Sequence, residues 1–185
     1  YYGSDTGGFH RSGSDAELGE LYTQWLANSS LFDFPVRPHA WSLEFPHETS
    51  PARIGHLESN LANIRQRYEL FPYYYGLAHR AWLEGEPIVA PMVYEFQADP
   101  LTRIIGHQKM IGPYLMAAVV AAPREEARNV YFPDGTWMNY HTHTVIKGHG
   151  QYERGIRTTE NGIFRIPLFL REGAIIPMMH VDAQT

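Results

Sequence analysis

The sequence predicts an α/β segment that gives way to an all-β domain. Three observations predict it: two extended segments, each ending in polar residues and each followed by a helix; a long apolar-striped helix near the middle; and, beyond Gly85, short β-rich runs broken by turn chemistry.

Residues 1–9 read as a strand end running into a glycine-rich turn at Gly7-Gly8. Ser14-Asp15-Ala16-Glu17 then fits a capping box, in which Ser14 and Glu17 satisfy each other's backbone donors. Leu18, Leu21, Tyr22 and Trp25 recur at helical spacing, and Asn28-Ser29-Ser30 is expected to end that helix. Residues 32–39 form the second extended segment, limited by Pro35 and Pro38.

After a loop over residues 40–49, Ser50 offers an N-cap and Pro51 suits the first helical position. Ile54, Leu57, Leu61, Ile64 and Tyr68 form an apolar stripe in steps of three and four. Pro72 is expected to kink or restart this helix, because it removes an interior hydrogen bond. Leu77, Ala78, Ala81 and Trp82 continue the apolar face to Gly85, a left-handed terminator.

From Pro87 onward, strands are expected over residues 87–96, 114–121, 129–132, 136–140, 164–170 and 174–178. Pro133-Asp134-Gly135, Gly148-His149-Gly150 and Asn161-Gly162 supply turns between them. Strands at this spacing predict an antiparallel β-sandwich, with the boundary between residues 1–86 and 87–185.

Composition narrows the function. Hydrophobic residues make up 44% and charged residues 19%, ample for a core; aromatics reach 14%, serving either core packing or stacking against sugar C–H faces. The net charge of −5 and the absence of a basic stripe argue against a nucleic-acid partner. The longest apolar stretch, residues 114–122, is far too short to cross a bilayer core of roughly 30 Å, so no membrane partner is expected. With no cysteine there is no disulfide. The chain opens Tyr1-Tyr2-Gly3-Ser4 without an initiator Met and reads as a piece of a longer polypeptide.

Asp5, at a strand end before two glycines, can turn its carboxylate into a site or simply close an Asx-turn. His39 ends the next extended segment and can hydrogen-bond a polyol, or be satisfied by loop carbonyls; Arg37 can hold a site carboxylate or a structural one. In a (β/α)8 barrel, site groups stand at the C-terminal strand ends, so Asp5 and His39 are expected to converge on one pocket. His141 and His143 share a strand face by the period of two, but lack an obvious third ligand, so no metal or other cofactor is expected. Neither a phosphate-binding Gly-rich loop nor a Gly-x-Ser-x-Gly elbow is present.

Ser4-Asp5-Thr6-Gly7-Gly8-Phe9, Glu17-Leu18, Gln24-Trp25 and the segment from Phe34 to His39 resemble the last barrel strands of glycoside hydrolase family 31. Arg65 to Tyr75 resembles that family's final barrel helix. Glu86 to Met92, Val130 to Trp137 and Ile166 to Pro177 resemble its proximal C-terminal β-sandwich, in the family's order. The resemblance implies the last strands and helices of a (β/α)8 barrel followed by an antiparallel β-sandwich domain, belonging to a retaining α-glycosidase of α-glucosidase or α-xylosidase type.

Such an enzyme uses a carboxylate nucleophile and a carboxylic acid/base roughly 5–5.5 Å apart. By the resemblance both lie upstream of Tyr1, so this segment holds no catalytic residue, and alone it is expected to be inactive. Asp5 and His39 match the family's substrate-binding carboxylate and histidine; Phe9, Arg37 and Trp41 are expected beside them, Trp41 either as a sugar-stacking wall or as lid packing. The expected partners are an oligosaccharide or glycoside substrate and the missing N-terminal part of the same enzyme. The alternatives are a non-catalytic carbohydrate-binding β-sandwich module, a structural protein derived from a decayed enzyme, and another α-glycosidase such as an α-galactosidase.

Overall fold

A computed structural model describes residues 3–10, 13–38 and 50–182. The expected loop over residues 40–49, with Trp41, lies outside the described residues, as does His39. The elements are α1 (Asp15–Phe32), α2 (Leu57–Glu69), α3 (Phe71–Glu84), β1 (Val89–Pro91), α4 (Met92–Glu95), β2 (Gln108–Ile111), β3 (Leu115–Ala118), β4 (Ala127–Phe132), β5 (Gly135–Asn139), β6 (Val145–Gly148), β7 (Gln151–Arg157), β8 (Thr159–Glu160), β9 (Ile163–Phe164) and β10 (Leu168–Arg171). They divide into two compact units, one of Tyr1–Tyr68 with Val120–Glu125 and Thr159–Arg165, the other of Glu69–Val119, Glu126–Thr158 and Ile166–Thr185.

In the first unit, α1 begins with the expected capping box: Glu17 N–H donates to Ser14 Oγ, and Glu17 Oε2 accepts from the Ser14 N–H at 3.0 Å. The helix does not stop at Asn28-Ser29-Ser30. Asn28 Nδ2 donates to Gln24 O and Val120 O, both at 2.8 Å, so its amide is tied down without breaking the helix. Arg67 caps the far end, donating to Ser30 O at 2.8 Å, and so supplies the cation that α1 lacks in its own last turn.

Helix α2 starts at Leu57, later than Ser50 and Pro51 predict. Residues 51–55 form a turn instead, because Gly55 (φ +74°) comes close to α1: a Cβ there would lie 2.6 Å from Gly19 O and 2.3 Å from Thr23 Oγ1. His56 takes the capping role. Its N–H donates to Thr23 Oγ1 at 2.8 Å and its Nδ1 sits 2.7 Å from Ser59 Oγ.

The buried face of α2 is polar, made by Ser59, Asn60, Asn63 and Gln66, while Leu57, Leu61 and Tyr68 of the apolar stripe are exposed. Ser59 and Asn63 hold the β8–β9 hairpin. Phe164 N–H donates to Ser59 Oγ at 2.9 Å, and Asn63 Nδ2 donates to Phe164 O at 2.9 Å. The hairpin turns at Asn161-Gly162, both with positive φ, as the Asn-Gly signal predicts.

In the second unit, Pro72 restarts the helix as expected: α3 carries it in its first turn and closes on Gly85 in the left-handed region, whose N–H donates to Ala81 O at 3.2 Å. A six-stranded antiparallel sheet runs β1-β2-β3-β10-β5-β6, and β4 pairs antiparallel with β7. Met110, Met116, Val130, Phe132, Trp137 and Phe169 fill the core between these two layers. Gln108 stitches the layers: its Nε2 donates to Tyr131 O at 2.8 Å and its Oε1 accepts from Tyr131 N–H at 2.7 Å.

Three expected features of this unit change. The run over residues 87–96 yields only β1, since Pro91 becomes the extended N-cap of α4. Residues 174–178 form no strand. His141 and His143 occupy a turn rather than a strand face, because Asn139 Oδ1 accepts from the N–H groups of His141 and Thr142 and bends the chain there. Strands β2, β6 and β7 are additional.

Candidate functional site

Asp5 meets Arg37 where the two extended segments come together, while His39, the residue expected to converge with Asp5, lies outside the described residues. Asp5 and Arg37 form a parallel bridge, with the Thr6 N–H donating to Arg37 O at 2.9 Å. The expected strand end within residues 1–9 and the short extended segment within residues 32–39 meet in this bridge, although Phe32 itself belongs to α1. Gly7 and Gly8, both at positive φ, then turn the chain sharply, and the Gly8 N–H returns to Asp5 O at 2.8 Å. Gly3 fits because it lacks a side chain: a Cβ there would lie 2.0 Å from Pro35 O.

Arg37 Nε stands 3.1 Å from Asp5 Oδ1; the Asp5 side chain is 20% exposed and that of Arg37 57%. Oδ1 is itself buried and, among the described residues, accepts no aligned hydrogen bond, so the pair is joined through charge. The guanidinium offsets the desolvation of the carboxylate and holds its orientation.

Behind them lies a network that sequence reasoning missed. Asp33, buried at the C-cap of α1, accepts from the Ser4 N–H at 3.0 Å and from Ser4 Oγ at 2.8 Å. Trp25 Nε1 in turn donates to Ser4 Oγ at 2.9 Å. Helix α1 thus fixes the residue preceding Asp5 from two positions a little over two turns apart. The Asp33 carboxylate is engaged by Ser4 and serves positioning.

Phe9 lies beyond the turn, 38% exposed, with its ring edge-on to His10 at 5.2 Å between centroids. Phe34 packs under the Arg67 guanidinium at 4.9 Å. Of the predicted site residues, Asp5 and Arg37 are brought together, Phe9 follows four residues on, and His39 and Trp41 lie outside the described residues. Among the described residues, no group of three or more His, Cys, Asp or Glu side chains is placed to hold a metal ion, and no helix is long and apolar enough to cross a membrane.

A carboxylate and a guanidinium paired at one parallel bridge stand ahead, in the chain, of an antiparallel β-rich unit. The profile described as the glycosyl hydrolases family 31 TIM-barrel domain matches residues 1–77, and that of the family's C-terminal domain matches residues 85–176. The chain belongs to glycoside hydrolase family 31.

An alpha-glucosidase of Saccharolobus solfataricus is 31% identical over 96% of this chain and 24% of its own length; an alpha-xylosidase of the same organism is 30% identical over 97% and 24%. The chain therefore spans about a quarter of the length of these curated relatives. Among solved structures, the Flavobacterium johnsoniae GH31 dextranase complexed with glucose matches with a TM-score of 0.80 and 27% identity, over 91% of this chain and 20% of that one. The cycloalternan-forming enzyme from Listeria monocytogenes, in complex with a pentasaccharide substrate, matches with a TM-score of 0.81 and 26% identity, over 94% and 16%.

Proposed function

We propose that residues 1–86 close the catalytic barrel, and residues 87–185 form the following β domain, of a retaining α-glycosidase that hydrolyses the O-glycosidic bonds of α-glucosides or related sugars. Asp5, Phe9, Arg37, His39 and Trp41 contact the substrate. The nucleophile and the acid/base belong to an earlier part of the same polypeptide.

The observation that carries this reading is the Asp5–Arg37 bridge, which sets a charge-compensated carboxylate at a strand end, where barrel enzymes keep their ligand groups. A carboxylate there accepts hydrogen bonds from sugar hydroxyls, and such bonds strengthen as the ring distorts toward the transition state. Asp33, engaged by Ser4, is unsuited to act as a second catalytic carboxyl.

The exposed stripe of α2 supports the earlier part of the polypeptide as a partner. Leu57, Leu61 and Tyr68 form an apolar surface that the rest of a barrel would cover. In the complete enzyme, Asp5→Ala is expected to raise KM and lower kcat together in steady-state kinetics on an aryl α-glucoside. Unchanged kcat/KM would remove Asp5 from the site. The 185-residue chain alone is expected to show no turnover; measurable hydrolysis by it would place the catalytic carboxyls within it.

A further inference from the structure

We propose that the second unit carries a groove that binds a neutral oligosaccharide chain, organised around Tyr94. Helix α4 sets Tyr94 at the surface, 41% exposed, and its hydroxyl donates to Glu86 Oε2 at 2.7 Å, which fixes the ring. The ring borders a cleft of about 350 Å³ also lined by Arg80, Glu95, Gln97 and Gly112. Gly112 lets the cleft's edge pack closely against α3. It has φ +56°, and a Cβ there would lie 2.5 Å from Leu77 Cδ2 and 2.6 Å from Tyr73 Oη.

Glu95 and Gln97 also line a second cleft of about 570 Å³, which continues past Asp99 and Asp134 to Arg171. Two adjoining clefts, each within the roughly 300–1,000 Å³ of ligand sites, form a groove suited to a chain rather than a single ring. No lining residue of either cleft comes from the first unit.

The lining selects the ligand class. Glu86, Glu95, Asp99 and Asp134 repel an anion, and only two guanidiniums oppose them: Arg80, already paired with Glu84 at 3.2 Å, and Arg171, stacked on Phe96 at 4.8 Å. Among the described residues no three of the carboxylates and histidines gather to hold a metal ion. A sugar chain fits each feature: hydroxyls donate to the carboxylates and accept from arginine and glutamine, and a C–H face packs on the tyrosine ring.

Native gel electrophoresis of the 185-residue chain, with soluble amylopectin or dextran cast into the gel, tests this. The wild-type chain is expected to be retarded in at least one of the two gels. Tyr94→Ala, at an exposed position, is expected to weaken retardation about tenfold in apparent affinity. Tyr94→Trp, with a larger platform, is expected to retain it. Wild-type mobility unaffected by both polysaccharides, or full retardation of Tyr94→Ala, overturns the groove. Loss of retardation in Asp5→Ala with retention in Tyr94→Ala assigns glycan binding to Asp5 and likewise overturns it.

Discussion

Arg37 Nε lies 3.1 Å from Asp5 Oδ1, yet its N–H is not aligned on that oxygen, so charge rather than a directed hydrogen bond joins the pair. The guanidinium fork is therefore not what the contact requires. In the complete enzyme, Arg37→Lys should keep most activity on an aryl α-glucoside, whereas Arg37→Met should raise KM about threefold to tenfold, a modest loss because the arginine is largely solvated. Steady-state kinetics of the two variants decide it. Equal loss in both would mean that the planar fork is needed.

Gly3→Ala should damage the same site from behind. The new methyl would sit 2.0 Å from Pro35 O, a backbone atom that cannot swing aside. The segments bearing Asp5 and Arg37 must then separate, at a cost of about 1–3 kcal/mol. Urea denaturation should show the loss, accompanied by weaker substrate binding in the complete enzyme. Wild-type stability in this variant would show that the two segments part easily.

Helix α1 should become acid-sensitive through its capping box. Hydrogen bonds from Ser14 hold the Glu17 carboxyl below its ordinary value of 4.5. A depressed folded-state pKa means that the contribution is present above the unfolded value and is lost as pH falls from about 4.5 through the lower folded value. Glu17→Gln keeps the cap geometry without a titrating proton, so its stability should be flatter across that range. Ser14→Ala should cost about 1 kcal/mol at neutral pH. Circular dichroism melts from pH 7 to pH 3 test both; parallel curves for wild type and Glu17→Gln would refute the acid effect.

Asn63→Leu should loosen the β8–β9 hairpin. It removes the 2.9 Å bond to Phe164 O and leaves that carbonyl without its side-chain donor, an expected loss of about 1–3 kcal/mol. Hydrogen exchange should speed up at residues 159–164 ahead of the strands of the six-stranded sheet. Unaltered protection there would show that Ser59 suffices.

What the sequence disclosed, and what it hid, follows from the range of the interactions involved. The Ser14 box, the Pro72 restart, the Gly85 terminator and the Asn161-Gly162 turn depend on neighbours within a few residues, and each appears where local chemistry puts it. Asn28 behaves differently, since its partner Val120 O is 92 residues away and lets α1 run on to Phe32. The start of α2 was misplaced for the same kind of reason, a close approach of Gly55 to Gly19. Gln108 gave no signal of joining two sheet layers, and β7 gave little because most of its residues are exposed and polar. At the site, Asp5 and Arg37 were legible from strand-end position, whereas the Asp33–Ser4–Trp25 network depends on tertiary geometry that no spacing encodes.

The inside-out character of α2 changes how the polypeptide can be cut. The Asn63 carboxamide and the Ser59 hydroxyl are matched to a hairpin about a hundred residues later, so a gene divided at residue 86 would part a lock from its key. The leading piece would then bare Asn63 to water, and the trailing piece would carry residues 159–164 with nothing to fasten them. Anyone seeking a soluble half of this protein would do better to alter Leu57 and Leu61 than to move the scissors.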